Sequence, residues 1–245
     1  MENKNFIFGR NVVKEAILAN REIEYILISN NKNMGSINEI IKLAMDRKII
    51  IKEGFNKKLD EISKNLSHQG IAALVSAHKY YTVDDILKTA KNKSEAPFII
   101  IADGIEDPHN LGAIIRTAEC CGAHGIIIPK RNSVGLTAIV EKTSAGALEY
   151  IKVAKVTNIS NTIDYLKENG IWVYCADMNG QPYFNENLTG GVALVIGSEG
   201  HGVSKLVKQK CDVTLSIPLK GNITSLNASV AAGVLMCKVL ESRLK

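Results

Sequence analysis

The sequence predicts an α/β protein in two parts, a small mixed α/β unit followed by a larger doubly wound layer on a parallel sheet. Three observations carry this reading. β-branched runs alternate with helical patterns throughout the 245 residues. A charged stretch at residues 78–96 separates short elements from longer, fully apolar strand runs. The length also exceeds the roughly 150 residues that a single domain commonly takes.

In order, residues 11–19 place Val12, Ala16 and Ala19 at helical spacing, and residues 23–28 form a β-branched run. Residues 37–47 repeat Ile37, Ile40, Ile41 and Ala44 on one helical face, and residues 49–51 read as a buried strand. A short helix at 57–64 and a closing strand at 70–77 complete a first domain over residues 1–77. Residues 78–96 read as a linker around one helical pattern at 83–90. The second domain, 97–245, opens with an apolar strand at 98–102 and a helix face of Leu111, Ile114, Ile115 and Ala118. Gly122 is placed to end that helix before a strand at 125–128. Further strands are expected at 151–154, 171–176, 192–196 and 213–217. A last helix is expected at 225–242, with Leu226, Val230, Val234 and Cys237 as its apolar stripe.

Composition excludes several classes. With 46% hydrophobic and 22% charged residues the chain is neither disordered nor fibrous. Its apolar runs stop short of the roughly 18 residues that a membrane span needs, and the start is polar, so no membrane partner is expected and the location reads as cytoplasmic. Five cysteines without a CxxC spacing argue for reduced thiols, and the five histidines never fall at HExxH spacing, so no metal is expected. Of the net charge of +5, most sits in residues 1–95, which carry 16 basic against 12 acidic residues. That excess suits a polyanion and equally suits an ordinary solvated face.

Three strand-end segments carry polar groups. After the strand at 98–102 come Asp103, Asp107, His109 and Asn110, then a helix bearing Arg116. Asn110 is open to a second reading as a helix cap, and Arg116 as a solvated helix residue. The second segment, 196–202, reads Ile-Gly-Ser-Glu-Gly-His-Gly, a turn poor in Cβ atoms whose GxxGxG spacing fits neither a dinucleotide nor a Walker loop. The third, 216–227, bends at Pro218 and Gly221 and brings Ser225 and Asn227 to a helix start. There an anion or ribose hydroxyl is suited, and capping by Thr224 or Ser225 is the plainer alternative.

Together these residues resemble a known family. The NxGxxxR of Asn110, Gly112 and Arg116, the IGSEGxG of 196–202 and the IPLxGxxxSLNxSVAAG of 217–233 look like the three motifs of the SpoU/TrmH ribose methyltransferases. The opening of residues 8–16, with His-Gln-Gly-Ile at 68–71, resembles the small RNA-binding domain that precedes catalysis in bacterial 23S rRNA guanosine 2′-O-methyltransferases.

The resemblance implies an enzyme dependent on S-adenosyl-L-methionine, a C-terminal trefoil knot and a homodimer whose site is completed across the interface. It implies that Gly197, Ile217, Leu219 and Leu226 hold the cofactor, and that Asn110, Arg116, Glu199, Ser225 and Asn227 serve catalysis. The family proposal makes Arg116 a general base. A guanidinium stays protonated at neutral pH, so stabilisation of a developing alkoxide is the chemistry expected of it here. Ala228 stands where the family usually has Val. Methylation of tRNA, a non-catalytic RNA-binding paralogue and, last, a nucleotide-dependent oxidoreductase are the alternatives.

Overall fold

The computed structural model describes residues 4–30, 35–64 and 66–244. The chain divides into two compact units, Met1–Lys79 with Leu136–Tyr150, and Tyr80–Gly135 with Ile151–Lys245.

The first unit begins with β1 (Lys4–Phe8), α1 (Arg10–Leu18), β2 (Ile23–Ile28), α2 (Gly35–Asp46), β3 (Ile50–Glu53), α3 (Asn56–Ser63) and β4 (Ile71–Ser76). Its sheet runs β1-β4-β2-β3, antiparallel except for the β2–β3 pair. Alternation along β2 sends Ile26 and Ile28 to a core shared with Val13, Ile17 and Ile40 of the helices. Leu27 goes to the opposite face with Phe8 and Leu59. The sequence reading has no strand at β1, because Phe6-Ile7-Phe8 is too short a run to stand out. Pairing with all of residues 72–76 is what makes it one.

The second unit starts with α4 (Val83–Lys93), inside the stretch that reads as a linker. This helix is built into the core. Thr82 and Asp85 form a reciprocal cap at its start, and Ile86 is fully buried. A Cβ on Gly125 would lie 2.5 Å from Ile86, so the glycine at the start of the neighbouring strand lets the helix settle there. Next come β5 (Phe98–Asp103), α5 (Pro108–Cys120) and β6 (Gly125–Pro129). Gly122 follows α5 at φ +75°, a left-handed turn that stops the helix at little steric cost.

Between β6 and the next strand the chain passes through α6 (Ala138–Thr143) and a 3₁₀ turn (Ala147–Glu149), both in the first unit. It returns for β7 (Lys152–Val156), α7 (Ile159–Glu168), β8 (Trp172–Pro182), β9 (Val192–Gly197), α8 (Lys205–Lys210), β10 (Val213–Ser216) and α9 (Ala228–Leu244). The six strands run β10-β8-β9-β5-β6-β7, every pair parallel. Chain order reverses at the central β5–β9 pair, the place where open α/β sheets bind ligands beyond the strands' carboxyl ends.

The last helix departs from expectation twice. It starts at Ala228 rather than 225, since Asn227 caps it by accepting from the N–H groups of Ser229 (3.0 Å) and Val230 (3.3 Å). Neither Thr224 nor Ser225 does so. Its buried face is Ala228, Ala232, Leu235, Met236 and Val239, while Val230 and Cys237 of the expected stripe are exposed. The helix is apolar on nearly every side, so periodicity could not select the face that turns inward.

Within the first unit, Arg21 binds both pieces of chain. It donates to the Ser76 carbonyl, to Glu141 (3.0 Å) and to Glu149 (2.9 Å), and all three charged side chains are at most 7% exposed. Its Nη1 also donates to His78 Nε2 at 2.9 Å. That nitrogen must therefore present a lone pair, and His78 is neutral. Burial, and secondarily the Arg21 charge, push its pKa down to about 3. Burial raises Glu141 to about 7, against the pull of Arg21. Two carboxylates on one cation would leave a buried negative charge, and a proton on Glu141 removes it.

Candidate active site

Three loops leave the carboxyl ends of β5, β9 and β10. Asp107 caps α5 by accepting from the N–H of His109 (2.9 Å), with Pro108 next in the helix. Asn110 is thus freed from capping. It lies inside the first turn, 5% exposed. Gly112 is buried on the same helix.

The second loop is a tight turn. Ser198 and Gly202 bond reciprocally through their backbones, and Gly200 and Gly202 take φ of +85° and +65°. Asp103 accepts from the N–H of Ser204 (2.9 Å) and ties the turn to β5. A Cβ at Gly197 would fall 2.0 Å from the Gly202 carbonyl carbon, so only glycine permits this return of the chain.

A relay of amide orientations joins the loops. The N–H groups of α9 can only donate, so the Asn227 Oδ1 faces the helix and its Nδ2 faces the site. That Nδ2 donates to Asn110 Oδ1 at 2.9 Å and also to Glu199 Oε1. Asn110 then turns its own Nδ2 to Glu199 Oε1, at 2.9 Å. The direction of the last helix is thereby transmitted to Glu199, which is held as a double acceptor.

Beside this network lies a cleft of about 850 Å³, in the size range of small-molecule sites. It gathers Gly197, Ile217, Leu219 and Leu226 with Glu199, Ser225 and Asn227. Asn110 meets the cleft through its bonds to Glu199 and Asn227. Arg116 is not brought to it. Six residues beyond Asn110, it stands on the exposed side of α5 and is not among the residues that line this cleft.

Sequence reasoning missed one wall, formed by Ala176, Asp177, Met178 and Asn179. The pairing of β8 with β10 jumps from Cys175↔Thr214 to Gln181↔Leu215, so residues 176–180 loop out between the two registers. A Cβ at Gly180 would lie 2.5 Å from the Thr214 carbonyl oxygen, which makes glycine necessary there. Asn179-Gly180, a common turn pair, was the legible sign of it.

The lining fits a cationic methyl donor. No lysine or arginine is among the lining residues described, while Asp177 and Glu199 supply negative charge, so a pyrophosphate-bearing dinucleotide is poorly matched. Ile217, Leu219 and Leu226 offer an apolar face for a flat ring, and the Gly197 turn offers backbone without side chains. Among the described residues no group of three His, Cys, Asp or Glu side chains could hold a metal ion, and no helix is long and apolar enough to cross a membrane.

Both parts of the chain are similar to known proteins. Residues 97–237 match the model of the SpoU rRNA Methylase family, and residues 6–81 match that for RNA 2′-O ribose methyltransferase substrate binding. YacO of Bacillus subtilis (strain 168), named for the TrmH family of tRNA/rRNA methyltransferases, is 46% identical over 244 residues, covering 99% of this chain and 97% of that protein. An AdoMet-bound rRNA methyltransferase from Sinorhizobium meliloti has the same fold, with a TM-score of 0.81 at 21% identity over 99% of this chain and 88% of that one. The A. aeolicus TrmH/SpoU tRNA modifying enzyme, at 24% identity, reaches a TM-score of 0.55 and covers 65% of this chain and 84% of its own. With both of its parts matched, and with three strand-end loops joined through Asn110, Glu199 and Asn227, the chain belongs to the SpoU/TrmH family of RNA 2′-O-ribose methyltransferases.

Proposed function

We propose that this protein transfers a methyl group from S-adenosyl-L-methionine to a ribose 2′-hydroxyl of RNA, and that its target is a guanosine of 23S rRNA. The observation that carries the chemistry is the Asn110–Glu199–Asn227 network beside a cleft with no lysine or arginine among its described lining residues. When bound, the donor supplies an electrophilic methyl carbon on a sulfonium sulfur. Gly197, Ile217, Leu219 and Leu226 hold it, and Glu199, fixed by two amides, orients the reacting groups. Ser225, exposed in the lining of the cleft, holds ribose or phosphate. The 2′-oxygen bonds to the methyl carbon, the carbon–sulfur pair leaves with sulfur, and the hydroxyl proton passes to water or a neighbouring phosphate. Such an in-line displacement draws its acceleration from positioning and electrostatics.

The proposed assembly is a homodimer, which supplies the missing cation. Helices α5 and α9 pack against each other, and α9 leaves Val230, half exposed, in a surface groove with Val234 and Cys237. Pairing this face with a second copy carries Arg116 of the partner subunit to the site, where it stabilises the developing alkoxide. The trefoil knot expected at the C-terminal end and a cytoplasmic location complete this reading. The rRNA assignment is supported by the substrate-binding segment at residues 6–81, since the A. aeolicus tRNA modifying enzyme aligns with 65% of the chain.

Mapping ribose methylation on ribosomal and transfer RNA from cells lacking the protein tests the reaction and the target together. Loss of one 2′-O-methylguanosine in 23S rRNA is expected, and an unchanged map would remove the reading. Arg116→Ala should lower the single-turnover rate at saturating cofactor about 10²- to 10³-fold, the scale of losing one donor to an oxyanion. The cofactor dissociation constant should not change. A near-normal rate would take Arg116 out of the chemistry.

A further inference from the structure

A second cleft, of about 550 Å³, shares Ser198, Glu199 and His201 with the first. The rest of its lining comes from the loop after β5 and from Asn110 and Asn132. Two clefts that abut on one wall suit a two-substrate displacement. The attacking oxygen must reach the methyl carbon from the side opposite the leaving sulfur, so donor and acceptor need separate pockets meeting at a point.

The chemistry of this lining says what it takes. It holds Glu106, Asp107 and Glu199 and no lysine or arginine among the residues described, so a phosphate would meet repulsion there. A nucleoside is neutral and presents O–H and N–H donors that carboxylates accept. The acceptors are in place. Glu199 uses Oε1 for both amides, and among the described residues none donates to Oε2. Glu106 is exposed, and among the described residues no hydrogen bond or ion pair engages its side chain. Asn132 sits in the left-handed region at φ +54°, its carbonyl oxygen 3.8 Å from where a Cβ on Gly104 would be. Gly104 itself is at φ +76°, a backbone that glycine adopts without strain, and a side chain there would meet Asn132 and Ser198 only at ordinary contact distance.

We infer that this second cleft receives the nucleoside to be methylated, with Glu106 accepting hydrogen bonds from N–H groups of its base edge and Asn132 completing the recognition. The inference rests on the methyltransferase reading and deepens it. It makes Glu106 and Asn132 specificity-determining residues, outside the three motifs that carry the family resemblance.

The test uses the full-length protein, RNA from cells lacking it, and S-adenosylmethionine labelled in the methyl group. Glu106→Gln keeps size and removes the charge, Glu106→Lys reverses it, and Asn132→Ala removes the amide. KM for RNA should rise about tenfold for Glu106→Gln and Asn132→Ala and more for Glu106→Lys, the order expected for losing a base-edge contact. Affinity for S-adenosylhomocysteine by calorimetry should stay within about twofold, because neither residue lines the first cleft. Unchanged or tighter RNA use by Glu106→Lys would show that the cleft takes phosphate or nothing, and would overturn the inference. A parallel fall in S-adenosylhomocysteine affinity would also overturn it, by making the two clefts one site. Should the wild type transfer no label, the methyltransferase reading fails instead. Gel retardation of the same RNA by the variants then still reads the cleft, with weaker binding expected and equal binding contrary.

Discussion

Asn227 does two jobs with one amide, and the two can be separated. Its oxygen caps α9 and its nitrogen bonds Asn110 and Glu199. Asn227→Asp keeps an oxygen for the cap and turns a second, negative oxygen toward Glu199. Thermal stability should therefore stay close to wild type, while single-turnover methylation falls by at least an order of magnitude. Asn227→Ala should lose both functions, with stability down by about 1 kcal/mol in denaturant unfolding for the missing cap. Wild-type activity in Asn227→Asp would show that the orientation relay is dispensable. Residue types and spacings made Asn110, Glu199 and Asn227 legible in advance, because side chains that bond one another must be polar. Asp177 and Asn179 were hidden, since nothing local marks a strand that changes register against its neighbour.

Among the elements, α6 and its 3₁₀ turn are governed by charge. Around Arg21 stand His78 after β4, Glu141 on α6 and Glu149 on the turn, with Glu15 on α1 adding repulsion to Glu149. Glu141 is raised to about 7, so between about pH 4.5 and 7 the folded chain holds a proton the unfolded chain has lost, and stability falls as pH rises there. His78 is lowered to about 3, so from there to about pH 6.5 the unfolded chain holds the extra proton, and stability rises with pH. Where the windows overlap the two slopes cancel. Glu141→Gln should unmask the histidine. Its unfolding free energy should climb by about 1.4 kcal/mol per pH unit between pH 4.5 and 6.5 relative to the wild type. Identical pH profiles for the two proteins would contradict the shared-proton account. No periodicity could have placed this segment in the first unit, as the contacts that hold it join residues 120 and more positions apart.

At the scale of the whole molecule, Arg116 stands outside the cleft of its own chain, and the proposed homodimer makes its role a measurable claim. Arg116→Ala and Asn227→Ala chains should each be inactive alone. In mixed dimers one of the two sites draws an intact Arg116 from one subunit and an intact Asn227 from the other. Random co-assembly should thus restore about a quarter of wild-type sites, half the dimers being mixed with one good site each. No recovery, with mixed dimers shown to form, would place Arg116 in its own subunit's site or outside catalysis.

By itself, the sequence determined the α/β class, most strands, the end of α5 at Gly122 and the polar residues that meet beside the cleft. Each of these follows from local chemistry: β-branched runs, helical spacing, a glycine that turns left-handed, amides and carboxylates that need partners. Only the tertiary structure decided which face of α9 is buried, that the charged stretch at 83–93 belongs to a core, and that Leu136–Tyr150 joins the first unit. Those outcomes depend on which distant surface offers the better burial or counter-charge. An apolar helix, a short capped helix and two buried glutamates carry no record of that partner in their own neighbourhood of the chain.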